Sequence, residues 1–104
     1  MANVKAIIFL PLKDNDGRKL ASEIKEFRNE VFDRFDGWTR EGTVTGSFRM
    51  PDGTEKLDVC AKYMVVVDES RISELEQVLA DFKKKTLQEK IYLEIQREVD
   101  IRLI

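Results

Sequence analysis

The chain has 104 residues, 42% hydrophobic and 37% charged, which suits one folded domain over residues 1–104 and argues against disorder or two separate cores. Its 18 Lys and Arg nearly balance 20 Asp and Glu, so no global field gathers phosphates or anionic lipid, and neither nucleic acid nor membrane is an expected partner. Histidine is absent and Cys60 is the single cysteine, which removes imidazole bases, Cys/His zinc sites and intramolecular disulfides; the expectation is a cytoplasmic protein without metal or cofactor.

No apolar run approaches the roughly 18 residues of a membrane helix, and Met1 to Lys5 is not followed by a secretory apolar region. The first element is VKAIIFL, Val4 to Leu10. Ala6, Ile8 and Leu10 share one face and Ile7 and Phe9 the other, so this strand should be central. KDNDG, Lys13 to Gly17, supplies turn formers and helix caps; it resembles a calcium loop, but Leu12 stands where the first acid belongs, so a turn is expected. Leu20, Ile24, Phe27, Val31 and Phe35 then form the stripe of an amphipathic helix, with Gly37 placed to stop it in a left-handed conformation.

A hairpin follows. In Met50-Pro51-Asp52-Gly53, proline is second and glycine fourth, as a type I turn prefers, so a four-residue loop of Pro51 to Thr54 is predicted. That register pairs Phe48 with Leu57, Gly46 with Val59, Val44 with Ala61 and Gly42 with Tyr63, apolar against apolar. A three-residue loop sets Phe48 against Lys56 and Gly46 against Asp58, and is disfavoured because a one-residue slip exchanges the faces of a strand. In the preferred register Thr43, Thr45, Ser47 and Arg49 share a wet face with Lys56, Asp58, Cys60 and Lys62.

The next strand, Leu57 to Val67, ends in MVVV, apolar on both faces and therefore interior. Asp68 to Ser70 offers caps for a second helix with the stripe Ile72, Leu75, Leu79 and Phe82, and Lys83 to Lys85 suit its C-terminal dipole. The tail IYLEIQREVDIRLI alternates for 14 residues, too long for an ordinary strand; it either bends near Gln96 to Glu98 or pairs its distal half with another chain.

Strand, helix, strand, strand, helix, strand is the ferredoxin-like βαββαβ order: an α+β fold with a four-stranded antiparallel sheet, two helices on one face, and the first and third strands central. The opposite face carries apolar residues and needs a cover, so a homodimer is expected, of which the dimeric α/β barrel is one form.

Chemistry-bearing residues are few. Asp58, set opposite Ser47 and diagonal to Arg49, forms with Arg49 the candidate catalytic pair, which also reads as a cross-strand ion pair. Trp38 stacks on a planar ligand or packs against the second helix, and Arg40 snorkels or binds an anion at the rim. Lys56 and Lys62 near Cys60 would lower the thiol pKa. Trp38, Arg40, Ser47, Arg49, Asp58 and Cys60 are thus the candidate binding residues. Sheet-face RNA recognition needs aromatics on the central strands, and Phe9 is the one candidate.

The run FDGWT, then GSF, then PDG with Asp58 beyond, resembles an F-G-G-x-T … G-x-W/F … G … D/E pattern of small uncharacterised bacterial α+β proteins. Asp36 replaces that pattern's first glycine, and the resemblance implies no established activity. The expected function is a non-enzymatic homodimeric module that binds a small molecule or protein at the open sheet face or its rim. The alternative is a small dimeric enzyme acting on a small molecule through Asp58 and Arg49.

Overall fold

The computed structural model describes residues 2–104; Met1, the first residue of the expected domain, lies outside them. Seven elements follow in order: β1 (Asn3–Pro11), α1 (Ala21–Phe35), β2 (Thr39–Arg49), β3 (Glu55–Asp68), a 3-10 turn (Glu69–Arg71), α2 (Ile72–Lys85) and β4 (Tyr92–Gln96). The strands form one antiparallel sheet ordered β2-β3-β1-β4, so β1 and β3 are central, as their two-faced apolar patterns predict.

The helix-side face of the sheet holds the core. Val4, Ala6, Ile8 and Leu10 of β1 and Ala61, Tyr63, Val65 and Val67 of β3 pack against Ile24, Phe27, Val31 and Phe35 of α1 and Leu75, Val78, Leu79 and Phe82 of α2. Each large apolar side chain sealed there contributes about 1.5–3 kcal/mol. Leu93 and Ile95 of β4 close one flank. Asp68 caps the 3-10 turn, its Oδ1 accepting from Ser70 N at 2.9 Å and Ser70 Oγ at 2.6 Å. The loop before α1 behaves differently from its expected capping role. Asp14 Oδ1 accepts from the amides of Asp16 and Arg18 and folds the loop on itself, while Leu20 stands at the helix start without a side-chain cap. Asp36, not Gly37, adopts the left-handed conformation that ends α1, at φ 68°. Short polar side chains tolerate that region, and here the chain uses it one residue early.

The hairpin register differs from the prediction. Arg49 pairs with Glu55, Phe48 with Lys56, Ser47 with Leu57, Gly46 with Asp58 and Val44 with Cys60. Phe48 and Leu57 therefore lie on opposite faces. The cause is the turn: Gly53 N donates to Met50 O at 2.9 Å, closing a type I turn, and Gly53 follows with φ 86°. A type I turn completed by a left-handed glycine is the common three-residue loop, and Met50 N donating to Thr54 O at 2.8 Å seals it. A bulge then reconciles this arm with the body. Glu41 and Gly42 together oppose Lys62, with Gly42 at φ 94°, so that Arg40 faces Tyr63 although Thr43 faces Ala61. The architecture survives because none of the core depends on β2.

β1 ends opposite Cys60, and Leu12 N donating to Val59 O at 3.1 Å is the last backbone tie from that side among the described residues. Beyond it β2 and β3 continue as a two-stranded arm, which helps give the molecule its 47 Å long axis against 27 and 23 Å. Lys56 Nζ reaches Asn15 Oδ1 at 2.9 Å and braces the arm against the loop before α1.

Candidate functional site: the open sheet face and the arm

No helix covers the second face of the sheet. Alternation places Ile7 and Phe9 of β1, Asp58, Cys60, Lys62, Met64 and Val66 of β3, and Tyr92 and Glu94 of β4 on it. After the bulge, Val44, Gly46 and Phe48 of β2 join them. Ile7 is sealed at 4% exposure, but every β3 residue on this face, from Lys56 to Asp68, is only half-buried. The surface is thus an apolar strip with cations and carboxylates along it.

Its best-defined feature is an aromatic pair. Phe9 and Tyr92 are opposite each other across β1 and β4, with ring centroids 4.4 Å apart and planes at 13°. Tyr92 Oη donates to Glu94 Oε1 at 2.8 Å and Gln96 Nε2 donates to Glu94 Oε2 at 2.8 Å, holding one carboxylate beside the stack. The Gln96 bond first and the Tyr92 bond second lower the Glu94 pKa, while accepting that proton keeps the Tyr92 phenol above its ordinary value. Phe9 was legible in the sequence as an outward aromatic. Tyr92 was missed, although its parity, opposite to that of Ile91 and Leu93, marks the same face.

The arm adds apolar side chains on both sides. Phe48, 56% exposed, lies on the open face with its ring over Gly46, so close that a Cβ there would approach Phe48 Cε2 to 2.9 Å. Leu57, 62% exposed, and Val59 lie on the helix-side face, beyond the reach of either helix.

The residues singled out from sequence do not converge on one point. Asp58 and Cys60 are on the open face, while Ser47 and Arg49 are on the helix-side face of the arm, so Asp58 lies opposite Gly46 rather than Ser47. The four threonine, serine and arginine positions and the four expected to share their wet face are split by the sheet. Ser47 Oγ donates to Glu55 Oε2 at 2.6 Å, and Asp58 Oδ1 lies 3.8 Å from Lys56 Nζ. Burial, then Asp58, pushes the Cys60 thiol up, the reverse of the lysine effect expected from sequence. Trp38 packs edge-on to Tyr63 of β3 with centroids 5.6 Å apart and lies under the guanidinium of Arg28, on α1, at 5.2 Å. Arg40, exposed, is on the helix-side face opposite Tyr63, as its parity implied.

Two recesses lie elsewhere. Leu12, Lys13, Lys19, Ala21 and Ile24 line a groove of about 270 Å³, and a crevice of about 10 Å³ between α1 and α2 is bordered by Glu23, Glu26, Glu30, Asp81 and Lys85. Neither includes Asp58, Cys60 or Arg49. Among the described residues, no cluster of three or more carboxylates and thiols suits a metal ion, and no helix is long and apolar enough to cross a membrane.

The chain resembles a phage SAM lyase in fold. That structure, solved in complex with S-methyl-5′-thioadenosine, aligns with a TM-score of 0.66 over 92% of this chain and 81% of its own, at 13% sequence identity. At that identity the likeness establishes the ferredoxin-like architecture alone. No protein-family model and no curated protein sequence matches the chain.

Proposed function

We propose that the protein is a non-enzymatic, homodimeric binding module of the cytoplasm, whose open sheet face and β2–β3 arm receive a small molecule or a protein segment. The observation that carries this reading is the set of apolar side chains on the open face, Phe9, Tyr92, Met64 and Val66 on the body and Phe48 farther out on the arm, which no helix or strand among the described residues covers. A two-stranded ribbon gains little stability by itself, so apolar side chains along both its faces are better explained by contact than by folding. The competing enzymatic reading, through Asp58 and Arg49, has less support, because the sheet separates the two groups and neither of the two recesses described above includes them.

Three measurements test the proposal. Light scattering at tens of micromolar should give a dimer mass; a monomer removes the homodimeric part. A fluorescent apolar dye should bind the folded protein and lose most of that signal on Met64→Lys, and an unchanged signal would move the binding surface elsewhere. Titration with S-methyl-5′-thioadenosine, the ligand of the structural neighbour, separates the classes further: turnover of a related sulfonium substrate would favour the enzyme.

A further inference from the structure

The chain after β4 is the part the fold leaves unused. β4 pairs Gln96 with Lys5, and β1 begins at Asn3, so its partner strand runs out within two residues beyond Gln96. A bend follows at Glu98, and residues 97–104 belong to no helix or strand. Their pattern is nevertheless that of a strand: Val99, Ile101 and Leu103 alternate with Glu98, Asp100 and Arg102. Leu103 is 92% exposed and Ile104 is fully exposed, while Val99 and Ile101 are half-buried. Asp100 Oδ2 and Arg102 Nη2 meet at 2.8 Å on the outside, with side chains 72% and 75% exposed, an ion pair that water screens and that a better-placed partner can replace.

The segment is complementary to itself. Written antiparallel to a second copy about a two-fold axis at Ile101, V-D-I-R-L meets L-R-I-D-V. Val99 then faces the partner's Leu103, Ile101 faces its own equivalent, and Asp100 faces the partner's Arg102 on both sides of the axis. Directly opposite residues share a face, so this register puts three apolar pairs on one side and two ion pairs on the other. Centring the axis on Asp100 or on Arg102 brings like charges face to face. Centring it between residues sets apolar side chains against charged ones. One register satisfies both patterns.

We propose that residues 99–103 of two copies pair as antiparallel strands about Ile101, joining the molecules beside β4 and leaving the open sheet face free for its ligand. This rests on the self-association proposed above and names the surface that produces it. Asp100→Arg and Arg102→Asp each make the cross-strand pairs repulsive, and each should raise the dimer dissociation constant about tenfold or more. The double swap, Asp100→Arg with Arg102→Asp, restores opposite charges in the same register and should return the constant to within about threefold of the parent, since equal pairs have been exchanged for equal pairs. Both residues are exposed, so thermal melts monitored by circular dichroism at concentrations where the parent and the variants are all dissociated should be unchanged. Sedimentation equilibrium on the full chain decides among the outcomes. Single variants that stay fully dimeric, or a double swap that fails to recover, overturn the tail pairing while self-association stands. A parent chain that is monomeric at tens of micromolar overturns both.

Discussion

The body and the arm share β3 but use it under opposite rules. In the body, β3 from Ala61 to Val67 alternates fully buried with half-buried residues, because two helices press on one face and water or a partner meets the other. In the arm, from Val44 to Val59, no helix presses on either face, and apolar residues occur on both. Hydrophobic matching therefore fixes register in the body and is silent in the arm, where the geometry of the turn decides. A covered face specifies a strand; an uncovered one leaves the choice to glycine.

The comparison is most sharply broken by truncating one leucine in each region. Leu75, fully buried in the core, should cost about 2–5 kcal/mol as Leu75→Ala, through lost transfer energy and the cavity left behind. Leu57→Ala should stay within about 0.5 kcal/mol of the parent in urea denaturation of the monomer, since its side chain already meets water. Equal losses would mean that the arm is part of the core.

Next in size is the turn that sets the arm register. Gly53 at φ 86° occupies the left-handed region, where an added Cβ costs about 1–2 kcal/mol, although there is open space around it. Gly53→Val should strain the three-residue loop and increase amide exchange from Ser47 to Leu57 while leaving Val65 protected. Protection that is unchanged at both would contradict the assignment of register to the turn. Asp68→Ala follows at about 1 kcal/mol, the usual cost of removing a capping side chain, and should appear in the global melt because that turn leads directly into α2.

The same division explains what was legible before any coordinates. The stripe of Leu20, Ile24, Phe27, Val31 and Phe35, and the helix-side residues of β1 and β3, identify the fold because each reports on a face that something covers. Pairing Phe48 with Leu57 applied that logic where nothing covers either residue. Gly42 and Gly53 carried the missing signal: one is in the bulge and the other is the left-handed turn residue, and together they move Phe48 to the open face, keep Arg40 on the helix-side face and set it, in place of Gly42, opposite Tyr63. The expected Asp58 and Arg49 pair fell with the register, since one slipped position is enough to put the sheet between them. The contact of Trp38 with Arg28 of α1 was not legible for a different reason, because helix-to-strand corners turn too sharply for parity to name a neighbour.

The smallest effect compares two aspartates that close turns, one in each region. Asp14 accepts from the Arg18 and Asp16 amides, and Asp52 Oδ1 accepts from Thr54 N at 3.0 Å and Thr54 Oγ1 at 2.6 Å. Asp14 is held below its ordinary pKa first by the Arg18 amide, and Asp52 first by the Thr54 hydroxyl. A carboxylate whose pKa is lower folded than unfolded lends stability above the ordinary aspartate value, about 3.9, and loses it as pH falls through the folded value. Both carboxyl carbons should therefore titrate below the ordinary range by NMR. Their consequences should separate, because Asp14 braces the loop leading into α1 and Asp52 braces only the arm. Asp14→Asn should flatten the acid side of the melting-temperature profile, whereas Asp52→Asn should leave that profile intact and change only the titration of the Thr54 amide shift. Equal effects on the global melt would tie the arm to the body more tightly than its exposed side chains allow.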